Sequence, residues 1–368
     1  MSKKDRIHEI TSMKNLKKTE IAINLHRCGI SICIFVLGLA LFSCSEDAQK
    51  DESNNEILGY SLEKLQAAEE WANNNTKTAA VVILVDGQPL YQWGNVDTKY
   101  ISHSTRKSFM SALFGKYVDD GTIDLNTTMA ELGIDDIPEL TEQEKTATVE
   151  HCMQSASGVY HTAEAESDFM HDLKPSQDEY LPGTFWIYNN WDFNVLRTIF
   201  EQETQTNFYE ALKSDIMDPI GANFQLADSI SWVPTRSVHP AYMFKISPTD
   251  MSKFGQLMLD KGNWDGNQII PRDWVEESTK YLWDAEIYDG DGYGYMWWVA
   301  TNANARPYLP NCNLPVGTYS ARGAGGQWME IIPERNMVFV HMVDTYVRDN
   351  VEFGDIGTLL QMVLDSKN

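Results

Sequence analysis

Ser104-Thr105-Arg106-Lys107, within the run YISHSTRKSFMSALFGKYV at residues 100–118, is the stretch from which the rest of this sequence is best interpreted. Residues 108–118 have a helical pattern, and Gly121 stands where a C-terminal cap is expected. A three-residue spacing on a helix puts Ser104 and Lys107 on one face. A serine hydroxyl becomes nucleophilic when a neighbour takes its proton, and a lysine can do so when burial or a helix N-terminus lowers its pKa. The stretch therefore indicates a candidate nucleophile and its base.

The context of this serine is what separates it from chance occurrences of the same spacing. Ser61-Leu62-Glu63-Lys64 repeats the pattern, but an N-cap serine and a solvated lysine explain it. By contrast, residues 79–93 precede Ser104 and read as a hairpin, with the β-branched run AAVVILV, the turn pair Asp86-Gly87 and a second strand. The candidate nucleophile thus follows a hairpin and opens a helix.

The remaining periodicity predicts an α/β fold in which an antiparallel sheet is flanked by helices and joined by a mainly helical lobe. Further helices are predicted at 61–73, near 141–153, 191–203, 205–216, 248–261 and 271–280, and at 356–364, and strands at 293–300, 327–332 and 337–342. The α/β lobe is expected at about 59–120 and 290–368, and the helical lobe at about 121–289. A site is expected in the cleft between the lobes.

Two further elements could contribute to chemistry. Tyr188-Asn189-Asn190 follows the turn Pro182-Gly183-Thr184, and a tyrosine beside a lysine can relay a proton, while Asn190 could orient the lysine. Gly323-Ala324-Gly325-Gly326-Gln327 enters a strand, where glycines allow close approach of substrate and an edge strand offers free N–H groups for an oxyanion.

Together, Ser104-x-x-Lys107, Tyr188-x-Asn190 and the glycine-rich strand entry resemble the serine β-lactamase and penicillin-binding-protein-like hydrolases, especially the class C enzymes and their esterase relatives. The resemblance covers roughly residues 60–364. Residues 250–274 and the ending Gly325-Gly326-Gln327 look most like 6-aminohexanoate-dimer hydrolases and related carboxylesterases.

This resemblance implies a role for each motif. Ser104 would be the acylated nucleophile, Lys107 its base, Tyr188 the proton relay and Asn190 a partner behind them. The backbone N–H groups of Ser104 and Gln327 would form the oxyanion hole, with Gly325 and Gly326 on the substrate strand. Where penicillin-recognising members have Lys-Thr-Gly, this sequence has Ala324, Gly325 and Gly326. The resemblance therefore favours small esters or amides over β-lactams.

The N-terminal 43 residues read as an export signal. Seven basic residues precede the apolar run at 30–42, which at about 13 residues is too short for a spanning helix of roughly 20. Leu41-Phe42-Ser43-Cys44 resembles a lipobox in which Cys44 is lipidated, and residues 44–58 form an acidic tether. We expect an exported bacterial lipoprotein at the periplasmic, outer-membrane or cell surface; a plain cleaved signal and an N-terminal anchor helix are the alternatives.

Composition limits the possible partners. The 368 residues have a formal charge of −24, and loss of seven basic and three acidic residues with 1–43 would make it −28. Such a charge opposes nucleic-acid binding, so we expect a small-molecule substrate and membrane attachment only through the lipid anchor. His161 and His171 match no compact zinc spacing, and neither a metal nor another cofactor is expected. Cys152 and Cys312 could pair or remain free.

The sequence thus predicts a serine hydrolase that forms an acyl-enzyme on Ser104. Two alternatives stay open: a non-catalytic or slowly deacylating binding or sensor protein on the same fold, and a peptidase acting on cell-wall D-peptides.

Overall fold

A large antiparallel sheet is built from the β-branched and aromatic runs at the two ends of the chain. The structure is a computed structural model that describes residues 56–285, 287, 291–301 and 308–368. Its strands are β1 Glu56–Ile57, β2 Tyr60–Ser61, β3 Thr78–Val85, β4 Gln88–Gly94, β5 Tyr100–Ile101, β6 Ser229–Ser231, β7 Tyr242–Ile246, β8 Asn263–Trp264, β9 Asn267–Gln268, β10 Trp283–Asp284, β11 Gly292–Tyr293, β12 Trp298–Val299, β13 Tyr319–Gly323, β14 Gln327–Ile332 and β15 Met337–Val343.

The sheet order brings the chain's two ends together. Eight strands run β10-β11-β12-β13-β14-β15-β3-β4, and every neighbouring pair is antiparallel. Strand β15 pairs with β3 from Met337↔Val85 to Val343↔Thr78, and β3 continues into the predicted hairpin with β4. A second sheet has the order β5-β7-β6, and β1-β2 and β8-β9 form two small ribbons.

Helices cover the large sheet and fill the middle of the chain. They are α1 Leu62–Asn75, α2 Arg106–Asp119, α3 Met129–Leu132, α4 Val149–Met153, α5 Asp168–Leu173, α6 Asn190–Thr204, α7 Phe208–Leu212, α8 Pro248–Leu259, α9 Arg272–Ser278 and α10 Phe353–Leu364.

The approach of α8 to the sheet is unusually close. This helix packs on β3, β14 and β15. A Cβ on Gly255 would lie 2.6 Å from Cγ1 of Val338, so only glycine lets the helix backbone come this near. Ser247 caps the helix, since its Oγ accepts the N–H of Asp250 at 3.1 Å, and Pro248 occupies the first helical position. The sequence signals for this element agree with its observed start.

The predicted fold class is confirmed, and several local expectations are corrected. Residues 141–153 form a 3₁₀ turn at Glu144–Thr146 and the short helix α4, because Thr148 caps a new helix. The strand predicted at 293–300 is reduced to β11 and β12, since Met296 has a φ of +60° between them. The helix at 205–216 is α7 followed by a π turn at Lys213–Met217. The sheet β5-β7-β6 was not expected from the sequence.

The described residues cover only part of the predicted domain organisation. The export signal, Cys44 and most of the tether lie outside the described residues, and the tether's end at Glu56–Ile57 forms β1. Helix α8, assigned to the helical lobe, packs on the large sheet instead. Within the part of the chain that the structure describes, no helix is both long and apolar enough to cross a membrane.

Candidate active site

Ser104 and Lys107 lie next to each other where the chain leaves β5 and enters α2. Ser104 is in a 3₁₀ turn, His103–Thr105, that leads directly into α2, and it is partly exposed. Lys107 Nζ is 2.8 Å from Ser104 Oγ. The helical spacing seen in the sequence therefore brings an amine within hydrogen-bond distance of the hydroxyl, which is the geometry required for proton transfer.

Lys107 is almost completely enclosed. Its side chain is 1% exposed, and its Nζ lies 4.5 Å from the ring centroid of Tyr188 and 4.6 Å from that of Phe193. Burial, with the charge of neighbouring Arg106 adding to it, holds the pKa of Lys107 well below its ordinary value. The hydrogen bonds recorded for Nζ go to Ser104 and Tyr188. The site therefore favours the free amine, which is the form that can accept a proton.

Tyr188 completes a line of three polar atoms. Its hydroxyl is 2.6 Å from Lys107 Nζ, and its ring stacks on Trp298 at 5.6 Å between centroids. Burial raises the pKa of Tyr188 to about 12, although Ser104 and Arg106 oppose the shift. The phenol is accordingly neutral near pH 7 and is able to donate its proton.

A buried hydrogen-bond network fixes the turn that presents Tyr188. Asn189 caps α6, and its amide nitrogen donates to Val159 O at 2.7 Å and to Asp192 at 2.9 Å. Asp192 also accepts from the hydroxyl of Ser157 at 2.5 Å. Burial raises the pKa of this carboxyl to about 8, and its hydrogen bonds oppose that shift. The network holds Tyr188 in place through its immediate neighbour in the chain.

Asn190 lies beside the site without a hydrogen bond to Lys107. Its Nδ2 donates to Ala165 O at 2.6 Å, and its buried Oδ1 has no hydrogen-bond partner among the described residues. The structure thus connects Asn190 to the segment at 164–166. The predicted orienting role of Asn190 on Lys107 stays a prediction.

The strand that approaches the nucleophile is β13. A Cβ on Gly323 would lie 2.8 Å from Ser102 O and 3.2 Å from Cβ of His103, so the strand end touches the nucleophile's turn. Strand β12 pairs only with Tyr319 and Ser320. No strand of the described residues pairs with residues 321–323 on that side. The end of β13 therefore has an open edge beside Ser104.

The expectation that the Gln327 strand is an edge strand is wrong. Strand β14 is hydrogen-bonded to β13 on one side and to β15 on the other. The Gln327 side chain is buried and exchanges two hydrogen bonds with Val343, at 2.8 and 2.9 Å. A Cβ on Gly325 would meet Thr345, and one on Gly326 would meet Val351. The roles assigned to Gly325, Gly326 and Gln327 stay predictions, while Gly323 is the observed contact.

The open edge of β13 also includes a cation that sequence matching overlooked. Arg322 precedes Gly323 and is 7% exposed, and its guanidinium lies over the rings of Trp298, Tyr308 and Trp328 at 4.2–5.0 Å. Its Nε donates to Ser320 Oγ at 2.9 Å. The strand beside the nucleophile therefore ends Ala321-Arg322-Gly323, so it still differs from Lys-Thr-Gly.

His103 is neutral and tied to a neighbouring loop. Its Nε2 is 2.8 Å from Thr345 Oγ1. Burial, with the charge of Arg106 adding to it, lowers the pKa of the imidazole to about 4. Its backbone has a φ of +47°, an uncommon value outside glycine, in the turn that presents Ser104. His103 thus shapes the turn without adding a charge to it.

The histidines considered as metal ligands and the two cysteines have structural surroundings of their own. His161 is 3.1 Å from Glu144, and Glu166 forms an ion pair with Lys174. No group of three or more potential metal ligands occurs among the described residues. Cys152 and Cys312 are buried and free, so the pairing left open in the sequence is not present.

Sequence reasoning missed four features of the site: Arg106, Arg322, the Asp192 network and the contact of Gly323. Arg106 was part of the quoted motif, but its burial depends on Tyr242, which comes from the unexpected sheet. The Asp192 network includes Ser157. No local signal links it to Asp192, 35 residues later.

Comparison with known proteins agrees with this architecture. The family model described as Beta-lactamase matches residues 66–356. An uncharacterized protein of Alkalihalophilus pseudofirmus is 22% identical over 291 residues, which are 70% of this chain and 80% of the relative.

Three solved structures are similar over most of their length. A protein from Bacillus anthracis described as a 6-aminohexanoate-dimer hydrolase has a TM-score of 0.59 at 20% identity, covering 81% of this chain and 80% of its own. A β-lactamase from Mycobacterium bovis has a TM-score of 0.59 at 15% identity, and the match covers 82% of this chain and 100% of the other. A penicillin-binding-protein homologue from Caulobacter crescentus has a TM-score of 0.61 at 14% identity, and the match covers 84% of this chain and 100% of the other. At these identities the likeness shows the fold alone.

Proposed function

The chain belongs to the β-lactamase family, and from this premise we propose that it is a serine hydrolase that cleaves small ester or amide bonds through an acyl-enzyme on Ser104. The family match supports hydrolase activity in general. The identity of the nucleophile and the type of bond cleaved are the proposal.

The observation on which the proposal depends most is the position of Lys107 Nζ between two hydroxyl groups. It is 2.8 Å from Ser104 Oγ and 2.6 Å from Tyr188 OH, in a nearly solvent-free environment. A lysine whose pKa is lowered by burial accepts a proton near neutral pH, whereas a solvated lysine does not. Ser104 is partly exposed, so substrate can reach it.

In the first half of the reaction, Ser104 Oγ attacks the substrate carbonyl carbon while its proton passes to Lys107 Nζ. The carbonyl oxygen becomes an oxyanion, which backbone N–H groups of Ser104 and of the open end of β13 would stabilise. The tetrahedral intermediate then collapses, and the bond to the leaving group breaks. Tyr188 gives its proton to the leaving alcohol or amine and regains one from Lys107, so the protons balance.

In the second half, water attacks the acyl carbon and loses a proton to the Lys107–Tyr188 pair. The ester bond to Ser104 breaks, and Oγ takes the proton back. The acid is released, and Ser104 and Lys107 return to their starting protonation states. None of these steps needs a metal or a cofactor.

We further propose that the protein acts as an exported lipoprotein anchored through Cys44. The support is the basic and then apolar N-terminus, the lipobox-like Leu41-Phe42-Ser43-Cys44 and the acidic segment after it. A substrate that diffuses outside the cytoplasm would suit this location. Mass measurement of the N-terminal peptide from membrane fractions would test it, because lipidation of Cys44 adds acyl mass and hydrolysis of the Ser43–Cys44 peptide bond removes residues 1–43.

The hydrolase proposal is tested by kinetics on p-nitrophenyl acetate with Ser104→Ala and Ser61→Ala. Ser61 has the same spacing to a lysine, but its Oγ accepts the N–H of Lys64 at 3.4 Å as a helix cap. We expect Ser104→Ala to lower kcat/KM by about 1,000-fold or more and Ser61→Ala to leave it within about twofold. Full activity of Ser104→Ala would refute the proposal.

A further inference from the structure

A cavity of about 750 Å³ lies beside the candidate nucleophile. Its walls include His103, which directly precedes Ser104, and Ala165, whose carbonyl accepts the hydrogen bond from Asn190. The cavity thus borders the turn that presents Ser104 and the segment to which Asn190 is hydrogen-bonded. Its volume is within the range of pockets that enclose a small organic molecule.

One wall of the cavity is apolar, and it comes from the small sheet that the sequence did not predict. Ile101 of β5, Ile230 of β6 and Met243 of β7 all line it. The register explains why, since Met243 pairs with Ile230 and Ile101 pairs with Lys245, two residues from Met243. Side chains in such positions share one face of a sheet. Each strand therefore contributes one hydrocarbon side chain to the same surface.

The mouth of the cavity is also apolar. Trp232 and Val233 line it while being 42% and 81% exposed, which is unusual for large hydrophobic side chains on adjacent residues. They directly follow β6, which contributes Ile230 to the inner wall. An apolar group would thus meet hydrocarbon from the mouth of the cavity to its wall.

The cavity lining also contains two carboxylates that already have partners. Glu164 accepts the N–H of Arg236 at 2.5 Å and the hydroxyl of Thr235 at 3.0 Å. Glu166 forms an ion pair with Lys174 and accepts the N–H of Ala163 at 3.3 Å. These carboxylates would repel an anion and have few acceptor positions left for a cation.

The cavity lining has fewer cations than carboxylates with which to bind an anionic substrate. Among the described lining residues Arg236 is the cation, and it is exposed. Lys245 lies on the same sheet face, with its Nζ 5.5 Å from the ring centroid of Tyr346. Burying an unpaired charge against hydrocarbon is strongly unfavourable.

We propose that this cavity is the specificity pocket of the hydrolase and takes the uncharged, apolar chain of an ester or amide substrate. The inference rests on the proposed function, and it adds the substrate class. Ile230, Val233 and Met243 are the specificity-determining residues. The preferred substrates are esters with a hydrocarbon chain of several carbons, and substrates with a terminal carboxylate are disfavoured.

The test is a chain-length series of p-nitrophenyl acetate, butyrate, hexanoate and octanoate, together with p-nitrophenyl pentanoate and p-nitrophenyl hydrogen succinate. The pentanoyl and succinyl chains are of similar length, and the succinyl chain ends in a carboxylate. We expect kcat/KM to rise at least about tenfold from acetate to hexanoate, since each buried methylene adds to binding. We expect the pentanoate to be favoured over the succinate by about tenfold or more.

Two pocket variants and one matched control link any preference to the cavity. Val233→Asp puts a charge at the mouth and should lower the hexanoate-to-acetate ratio about fivefold or more, and Met243→Ala should move the preferred length towards octanoate. Val316→Asp makes the same change at a valine that is 66% exposed away from the cavity, and should leave the ratio unchanged. Labelling rates with ethyl and octyl fluorophosphonates repeat the comparison without turnover.

The outcomes separate the two proposals. If acetate or succinate is cleaved as well as hexanoate, or if Val233→Asp and Val316→Asp behave alike, the pocket assignment is overturned while the serine hydrolase stands. If neither fluorophosphonate labels the folded protein and no ester is cleaved, the proposed function fails first.

Discussion

Lys107 shows how one residue's surroundings can set its chemistry. It is 1% exposed, and its immediate neighbour Arg106 is equally buried. The Arg106 Nη1 donates to His103 O at 3.2 Å, and the guanidinium lies 4.8 Å from the ring centroid of Tyr242. No ion pair to Arg106 is found in the described part of the chain. The positive charge of Arg106 therefore has no ion-pair partner among the described residues, and it disfavours protonation of the adjacent Lys107.

We predict that Arg106→Met moves the acid limb of the pH–kcat/KM profile to higher pH. The free amine of Lys107 is the active form, so activity rises as pH increases through the lysine's pKa. Removing the neighbouring charge raises that pKa, so a higher pH is needed to reach the plateau. The measurement is kcat/KM on one ester from pH 5 to 10, with the plateau expected to stay within about threefold of the parent.

Arg106→Lys is the matched control, because it keeps the charge and most of the side-chain length. We expect its acid limb to coincide with that of the parent. If Arg106→Met also leaves the limb in place, Arg106 does not influence the proton on Lys107, and its burial serves packing alone.

At the scale of elements, the site depends on how closely β13 approaches the turn before α2. Gly323 is not one of the glycines with a positive φ, so its role is steric: a Cβ would lie 2.8 Å from Ser102 O and 3.2 Å from Cβ of His103. Both contacts involve the turn that contains Ser104. Any side chain on Gly323 would push the strand away from the nucleophile.

We predict that Gly323→Ala lowers kcat/KM by about tenfold or more, since small displacements of catalytic groups have large effects on rate. The overpacking should also reduce the free energy of unfolding by about 1–3 kcal/mol. Gly354→Ala is the control, because the nearest atom to its added Cβ is a side-chain nitrogen of Asn311 at 3.4 Å. Ester kinetics and urea unfolding measure both effects. A Gly323→Ala enzyme as active as Gly354→Ala would refute the steric role.

Elements with strong local signals could be predicted from the sequence, and those set by long-range packing could not. The β-branched residues and Asp86-Gly87 predict the hairpin β3–β4, and Ser247-Pro248 predicts the start of α8. The strands β5, β6 and β7 have two, three and five residues, too short for a periodic pattern, and β5 pairs with β7 across more than 100 residues of chain.

The same contrast applies to the site. The order of Ser104, Lys107 and Tyr188 in the sequence led to the prediction that they lie together, and the recorded distances agree, although their catalytic roles stay a prediction. The strand beside the nucleophile was assigned three or four residues too late, at Gly325–Gln327. A glycine-rich sequence does not show whether its residues form the turn between two strands or the strand end that contacts another element.

At the scale of the whole molecule, the dominant property is a formal charge of −24. Its field reaches ~30 Å at 0.01 M ionic strength and ~8 Å at 0.15 M. A field of this sign concentrates cationic substrates and repels anionic ones as they approach. This effect acts on encounter and is separate from the preference of the pocket for uncharged chains.

We predict that salt reduces any advantage of a cationic ester over its uncharged isostere. The pair acetylcholine and 3,3-dimethylbutyl acetate has nearly the same shape, so the ratio of their kcat/KM values isolates charge. Between 10 and 300 mM NaCl, pH-stat assays should show this ratio falling about twofold or more. A ratio that is independent of salt would mean that the acidic surface serves solubility without steering substrate.

The central claim is that Ser104 is an activated nucleophile, and covalent labelling tests it most directly. Purified protein is treated with a fluorophosphonate probe, and the modified peptide is identified by mass spectrometry in the parent, Ser104→Ala and Ser61→Ala. We predict an adduct on Ser104 in the parent and in Ser61→Ala, and none in Ser104→Ala. An adduct on another residue, or no adduct in protein shown to be folded by circular dichroism, would contradict the claim.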